Sequence, residues 1–317
     1  MGGRQAGFGN YNAELPTPPM HRMAAFLSGI SIVCFAASYG VALACEASRL
    51  VFRSGVRGAV MVFFAAAGLV AHTLFLGWRA AASGTLPLSS PFDWYLLAAW
   101  VLAVAYLWLA LANPKTPIGL FLLPVILGLV GAATVASREP FLHDAASLFW
   151  GRVHGAFHLV WSVSVVLGAI AGSMWLLQAW RLTVKSSSAG GLRLPSLERL
   201  EHVTSRTPAI AAWAATAGFA SGLILNAVNH RRGLMETVPW TDPVVMRMGL
   251  VVAWLIVASQ WAAMARRRPG GGRVMAWLSL ASLVVMAGSI AWGLAGTTRH
   301  GRPAESPLGV ADAEVVR

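Results

Sequence analysis

Apolar residues run in eight stretches separated by short polar segments, and each stretch is about the length that crosses a hydrocarbon core as a helix. The stretches cover about residues 23–45, 58–77, 92–112, 118–136, 154–180, 207–228, 244–265 and 273–295. The pattern predicts an all-α, polytopic membrane helix bundle of about eight transmembrane helices. A polar tail precedes it (1–22) and another follows it (296–317). The third and fourth stretches are joined by a tight turn over Asn113–Thr116, with prolines at 114 and 117. No cleavable signal peptide is expected, because the first apolar run is too long for a signal h-region. The longest connector, 181–206, opens with the flexible composition Lys185-Ser186-Ser187-Ser188-Ala189-Gly190-Gly191. Leu194-Pro195-Ser196-Leu197-Glu198-Arg199-Leu200 follows, where Ser196 is placed to cap a short interfacial helix with Leu197 and Leu200 on one side. No repeat of fixed period is visible.

Composition agrees with the pattern. Of 317 residues, 57% are hydrophobic and 11% charged, against roughly a quarter charged in a soluble domain. The net charge of +12 would suggest nucleic acid only on a soluble basic face. Here the basic residues lie between the apolar runs, so they set orientation and no nucleic-acid partner is expected. Alternate connectors and their adjoining helix starts carry 13 and 6 Lys and Arg residues. The richer set is Arg49, Arg53, Arg57, Lys115, Arg181, Lys185, Arg193, Arg199, Arg206, Arg266, Arg267, Arg268 and Arg273. By the positive-inside rule these are cytoplasmic, and both termini lie outside (N-out, C-out) in the cell's inner (cytoplasmic) membrane. Cys34 and Cys45 share one apolar run, which offers no disulfide framework and no Cys-rich metal site.

Ionisable groups inside a membrane are functional candidates by default, and in this chain they are mostly histidines. His72 lies in the second run, about five residues from its predicted outer end. His154 and His158 open the fifth, four apart and therefore on one helix face. His230 lies in the outer connector between runs six and seven, and His143 in the one before run five. Five histidines thus fall on the predicted outer side. Imidazole ligates haem iron as well as simple metals, although the pair lacks an HExxH pattern. Each also has a structural reading: one hydrogen bond to a neighbouring helix satisfies His72, His154 stays wet at the interface, and His143 and His230 are solvated loop residues. The 14 tryptophans cluster near run ends, as an aromatic belt does. The outer segment Pro239-Trp240-Thr241-Asp242-Pro243 adds an aromatic plane and a carboxylate on the histidine side.

Several motifs resemble the cytochrome c assembly family of integral membrane proteins (CcsA, ResC, CcmC and the HemX-like branch). They are His72-Thr73-Leu74-Phe75-Leu76-Gly77-Trp78-Arg79 with Gly84-Thr85-Leu86-Pro87-Leu88 and Pro91-Phe92-Asp93-Trp94-Tyr95. His154 heads a helix that ends Trp175-Leu176-Leu177-Gln178-Ala179-Trp180-Arg181-Leu182, the Leu194–Leu200 connector follows, and Arg266–Arg273 links the last two runs. The resemblance covers about residues 25–295 and implies haem handling on the outer face. It implies His72 and His154 as ligands of haem iron, with His158 and His230 in support. Trp240 and Asp242 would position the macrocycle, and Arg231 and Arg232 its carboxylates. The chain departs from the family's Trp-rich loop, of which only Trp240-Thr241-Asp242-Pro243 remains, and has Met264 where a histidine of the penultimate helix is expected. These departures point to the HemX-like branch rather than a full haem lyase.

The expected function is therefore haem binding and presentation in cytochrome c biogenesis, by an assembly factor rather than a stand-alone enzyme. Apocytochrome c and other assembly proteins are the expected partners, with membrane lipid around the helices. The alternatives are a small-molecule transporter, to which the helix glycines Gly168, Gly172, Gly218 and Gly222 lend close packing or motion, and a regulatory membrane protein acting through a protein partner.

Overall fold

The computed structural model describes residues 31–48, 55–83, 88, 90–114, 116–139, 145–184, 194–232 and 238–295. The two polar tails, the 185–193 linker, Gly84–Pro87 and His143 lie outside them. The described residues form eight helices and no strand. They are α1 (Ile32–Ser48), α2 (Gly55–Ser83), α3 (Pro91–Ala112), α4 (Gly119–Val135), α5 (Ala145–Thr183), α6 (Leu197–Arg231), α7 (Pro243–Ala265) and α8 (Gly271–Ala295). Six of them, α2, α3 and α5 to α8, are long and apolar enough to cross a membrane. α1 and α4 have 17 residues each, the lower limit for a span. Side chains such as Phe63, Trp108, Trp213 and Val284 point outward and exposed, which in this composition is a lipid-facing surface. The chain is a multi-pass membrane protein.

Local chemistry sets the helix starts. Ser90 and Asp93 form a reciprocal capping box ahead of α3, with Pro91 in the first turn. The Ser196 hydroxyl accepts from Arg199 N at the start of α6. Asp242 accepts from Val244 N at the start of α7, again with a proline following. Gly270 takes φ +76° in the tight link between α7 and α8, a conformation that costs glycine little.

The helices pack as two groups of four. α1 packs on α2 and α4, and α3 closes that group against the same two helices. In the second group α5 packs on α6 and α8, α7 bridges the same two, and α6 also meets α8. The groups meet through α3 and α5 and through Arg199, whose guanidinium donates to Asn113 Oδ1.

Three predicted boundaries differ from the observed ones. α2 continues past 77 through Ala80-Ala81-Ala82 to Ser83, because alanines propagate a helix readily. His72 is therefore eleven residues from the helix end, not five. α5 begins at Ala145, so His154 and His158 sit well inside it. The expected interfacial helix at Ser196 is not separate: α6 runs unbroken from Leu197 to Arg231. Leu200, Thr204 and Thr207 face inward along the added turns. An amphipathic extension of this kind escapes a search for continuous apolar runs.

Candidate functional site

His154 and His158 lie side by side on α5, with ring centroids 4.2 Å apart. Both face the small-residue face of α6. A Cβ on Gly222 would stand 2.8 Å from His154 Cε1, and one on Gly218 would stand 3.0 Å from His158 Nδ1. Only glycine admits the imidazoles here. His154 Nδ1 lies 2.9 Å from the Gly218 carbonyl, and His158 Nδ1 lies 3.0 Å from the His154 carbonyl. A carbonyl only accepts, so each Nδ1 carries a proton, and in the neutral form of each ring the lone pair is on Nε2. Metal-ligating histidines are commonly held this way, with the second nitrogen donating to a carbonyl.

Gly218, Gly222 and Asn226 recur every four residues and share one face of α6. The Asn226 side chain donates to Val238 O at 3.0 Å and accepts from Val238 N at 3.1 Å. That double bond pins the start of the Pro239–Asp242 segment one turn beyond His154's glycine. The structure thus brings the histidine pair and the Trp240 segment together along α6. Trp240 is exposed. Asp242 is buried, with its carboxylate engaged at the α7 N-terminus. His230, Arg231 and Arg232 are exposed at the C-terminal end of α6.

His158 also meets Trp161 edge-on at 6.1 Å. Trp161 is 6% exposed, yet among the described residues its Nε1 has no hydrogen-bond partner, and neither has Arg247 Nε of α7.

His72 sits elsewhere, in the first group of helices. It is wholly buried, stacked parallel on Phe35 at 4.2 Å, with Tyr39 Oη 3.4 Å from Nδ1. Nε2 has no partner. Gly68, one turn before, makes room for the Tyr39 ring. His72 is enclosed by aromatic side chains and reaches no surface. Among the described residues, no three His, Cys, Asp or Glu side chains gather as a metal site.

Sequence reasoning missed three features. The Arg79 guanidinium donates to Asp93, whose side chain is 1% exposed, and Arg79 and Arg138 lie over the Phe92 ring at 4.6 and 4.9 Å. Trp94, next to Asp93, presses so closely on Gly155 that any Cβ there would collide with it, so α3 meets α5 beside His154. The Asn226 clamp is the third. The signals were present: an Arg and an Asp fourteen residues apart across one connector, and an asparagine near the end of an apolar run.

A small cavity of about 10 Å³ lies lower in the second group, lined by Ser164, Gly168, Thr207, Pro208, Ser279 and Ser282 among others. It has room for one water molecule at most. Pro208 has no N–H to offer the Thr204 carbonyl.

No protein-family model matches the chain, and no curated protein matches it in sequence.

Proposed function

We propose that this protein binds haem at the predicted outer ends of α5 and α6 and presents it for cytochrome c assembly, in a cytoplasmic membrane that the chain crosses eight times with both termini outside. The observation that carries the reading is the His154–His158 pair. Both imidazoles carry a proton on Nδ1 and both are seated on α6 glycines, and the start of the Trp240 segment is pinned to Asn226 one turn beyond Gly222. Haem, when bound, supplies an iron centre and two carboxylates.

In this reading His154 Nε2 is the iron ligand and the Gly218 carbonyl holds its ring in the ligating tautomer. His158 stands beside it as the second imidazole, and exposed Trp240 offers an aromatic plane at the mouth. His72, closed off by Phe35 and Tyr39, does not fit a ligand role in this conformation. It belongs to the packing of α1 on α2, where an orphaned Nε2 is a cost to the fold. Apocytochrome c is the partner class that would accept the haem, and no chemistry beyond binding and transfer is asked of these residues.

The transporter alternative draws on the hydroxyl-lined cavity and on Pro208, but about 10 Å³ is too small for a solute. The glycines it invoked are filled by neighbours: Gly168 by Thr207, Gly172 by Ala276, Gly218 and Gly222 by the histidines.

The test is the haem content of protein purified from its membrane, by pyridine haemochrome. Wild type should carry haem or take up added haemin, and His154→Ala should lose most of it. Protein that is colourless and refuses haemin would refute the reading.

A further inference from the structure

Arg266, Arg267, Arg268 and Arg273 fall in the α7–α8 link and the helix start that follows it. Backbone bonds fold the link tightly. Arg268 N donates to Ala265 O at 2.9 Å, Gly271 N to Arg268 O at 3.1 Å and Arg273 N to Gly270 O at 3.3 Å. Gly270, at φ +76°, lets the chain turn back on itself. The four arginines are thereby held around one turn, and all four are exposed. Like charges gathered on one turn repel one another, and an anion relieves the repulsion.

Glu201 of α6 reaches the link but is already engaged. A Cβ on Gly272 would collide with its carboxylate, and Trp175 Nε1 donates to that carboxylate at 3.1 Å. The charge of Glu201 thus sits at the first turn of α8, where the helix dipole favours it. Among the described residues no Asp or Glu forms an ion pair with any of the four arginines. The α3–α4 and α5–α6 connectors close the same end of the bundle, joined by the Arg199–Asn113 bond. Their residues outside the described set, Lys115 and 185–193, include no acid.

Beside the arginines the surface is apolar and faces outward. Val257, Trp261 and Met264, four and three residues apart, form an exposed stripe on α7 that ends at the link. On α8 Arg273 and Trp277 stand four apart on one face, both exposed. The inner faces of the two helices are taken up by each other: Ala258, Ala262 and Ala265 of α7 cluster with Met275 and Leu278 of α8. The outward stripe is therefore acyl-chain surface. Two tryptophans stand where it gives way to arginine, as they do at headgroup level. An anion that fits this boundary carries acyl chains, which selects a phospholipid over a soluble phosphate.

We propose that the α7–α8 link is a binding site for an anionic phospholipid. Its phosphate lies among Arg266, Arg267, Arg268 and Arg273, and its acyl chains run along the stripes that carry Trp261 and Trp277. Arginine suits the role because its planar fork gives phosphate two hydrogen bonds at once. The site lies at the opposite end of α7 from the Trp240 segment and is independent of the haem reading.

The probes are phosphatidylglycerol and phosphatidylcholine, titrated into delipidated, detergent-solubilised full-length protein and read by native mass spectrometry. In detergent the orientation set at membrane insertion does not enter. Wild type should bind phosphatidylglycerol at least tenfold more tightly than phosphatidylcholine, and added NaCl should erode the difference. Arg267→Gln/Arg268→Gln should weaken phosphatidylglycerol about tenfold and leave phosphatidylcholine unchanged. Arg231→Gln/Arg232→Gln removes the same charge at the other end of the bundle and should leave both lipids unchanged. Circular dichroism should show wild-type helix content in both pairs, since all four positions are exposed. If the 267/268 pair does not fold, Arg273→Gln decides by the same comparison, with an expected loss of about fivefold.

Equal affinity of wild type for the two lipids would overturn the proposal. Wild-type affinity for phosphatidylglycerol in the folded 267/268 variant would do the same. An equal loss in the 231/232 variant would reduce the effect to net charge and overturn the site. Displacement of phosphatidylglycerol by an equal concentration of inorganic phosphate would make it a soluble-anion site and overturn the choice of a lipid.

Discussion

Replacing helix glycines by alanine separates the places where a ring or a backbone fills the glycine from those where nothing does. At Gly249 of α7 nothing lies within 4 Å of a built Cβ. Alanine there gains helix propensity, roughly 0.5–1 kcal/mol in a helix interior, so Gly249→Ala should be neutral or stabilising. At Gly222 the new methyl would sit 2.8 Å from His154 Cε1 and 3.0 Å from Nδ1. The ring must swing away, and its bond to the Gly218 carbonyl at 2.9 Å then lengthens or breaks. Losing that bond costs about 1 kcal/mol, and crowding adds about 1–2 kcal/mol. Set against the propensity gain, Gly222→Ala should lose about 1–2 kcal/mol. At Gly172 the obstacle is the Ala276 carbonyl oxygen, 2.8 Å away. Backbone of α8 cannot rotate aside, so α5 and α8 must separate. Gly172→Ala should therefore cost more than Gly222→Ala, about 3 kcal/mol at the upper end for overpacking. The assay is SDS-induced unfolding of detergent-solubilised protein followed by helical circular dichroism, with the order of stability Gly249→Ala, then Gly222→Ala, then Gly172→Ala. A Gly222→Ala protein as stable as Gly249→Ala would refute the seating of His154 on α6.

Three further outcomes follow from the same geometry. Asn226→Ala removes two hydrogen bonds to Val238, about 2 kcal/mol together. Exchange of the Val238 amide should speed up about thirtyfold while the middle of α6 is unchanged. Asp93→Ala strips the α3 capping box and leaves Arg79 without its carboxylate. It should lower the unfolding free energy by about 3 kcal/mol in the SDS assay, and Asp93→Asn, which keeps a capping oxygen, by less. Gly155→Ala would collide with Trp94 where α3 meets α5. It should quench or shift Trp fluorescence in a way that a Trp94→Phe background abolishes.

The helical class and the approximate helix positions were legible because apolar length and loop composition are local signals. Ser90 and Asp242 cap helices where serine or aspartate precedes an apolar run, and Ser196 caps α6 ahead of an amphipathic stretch. The extension of α6 back to Leu197 was not legible as an apolar run, since Glu198, Arg199, Glu201 and Arg206 break the stretch while Leu200, Thr204 and Thr207 keep one side buried. Within the site, the pairing of His154 with His158 follows from their spacing of four. Their seating on Gly218 and Gly222 does not, because it depends on the register between two antiparallel helices sixty residues apart. His72 illustrates the opposite case. Its place in an apolar helix was plain, but Phe35 and Tyr39, which enclose it, come from another helix. Nothing in the spacing of His72 indicates that it belongs to a different group of helices from His154.

The central claim is that His154 Nε2 is a ligand of haem iron, and the most direct measurement is the low-temperature electron paramagnetic resonance spectrum of the ferric-haem-loaded protein. A ferric signal with one axial imidazole nitrogen is expected from wild type, altered in His154→Ala and unaltered in His72→Phe. A spectrum unchanged by His154→Ala, or abolished by His72→Phe in a protein that still folds, would contradict the account.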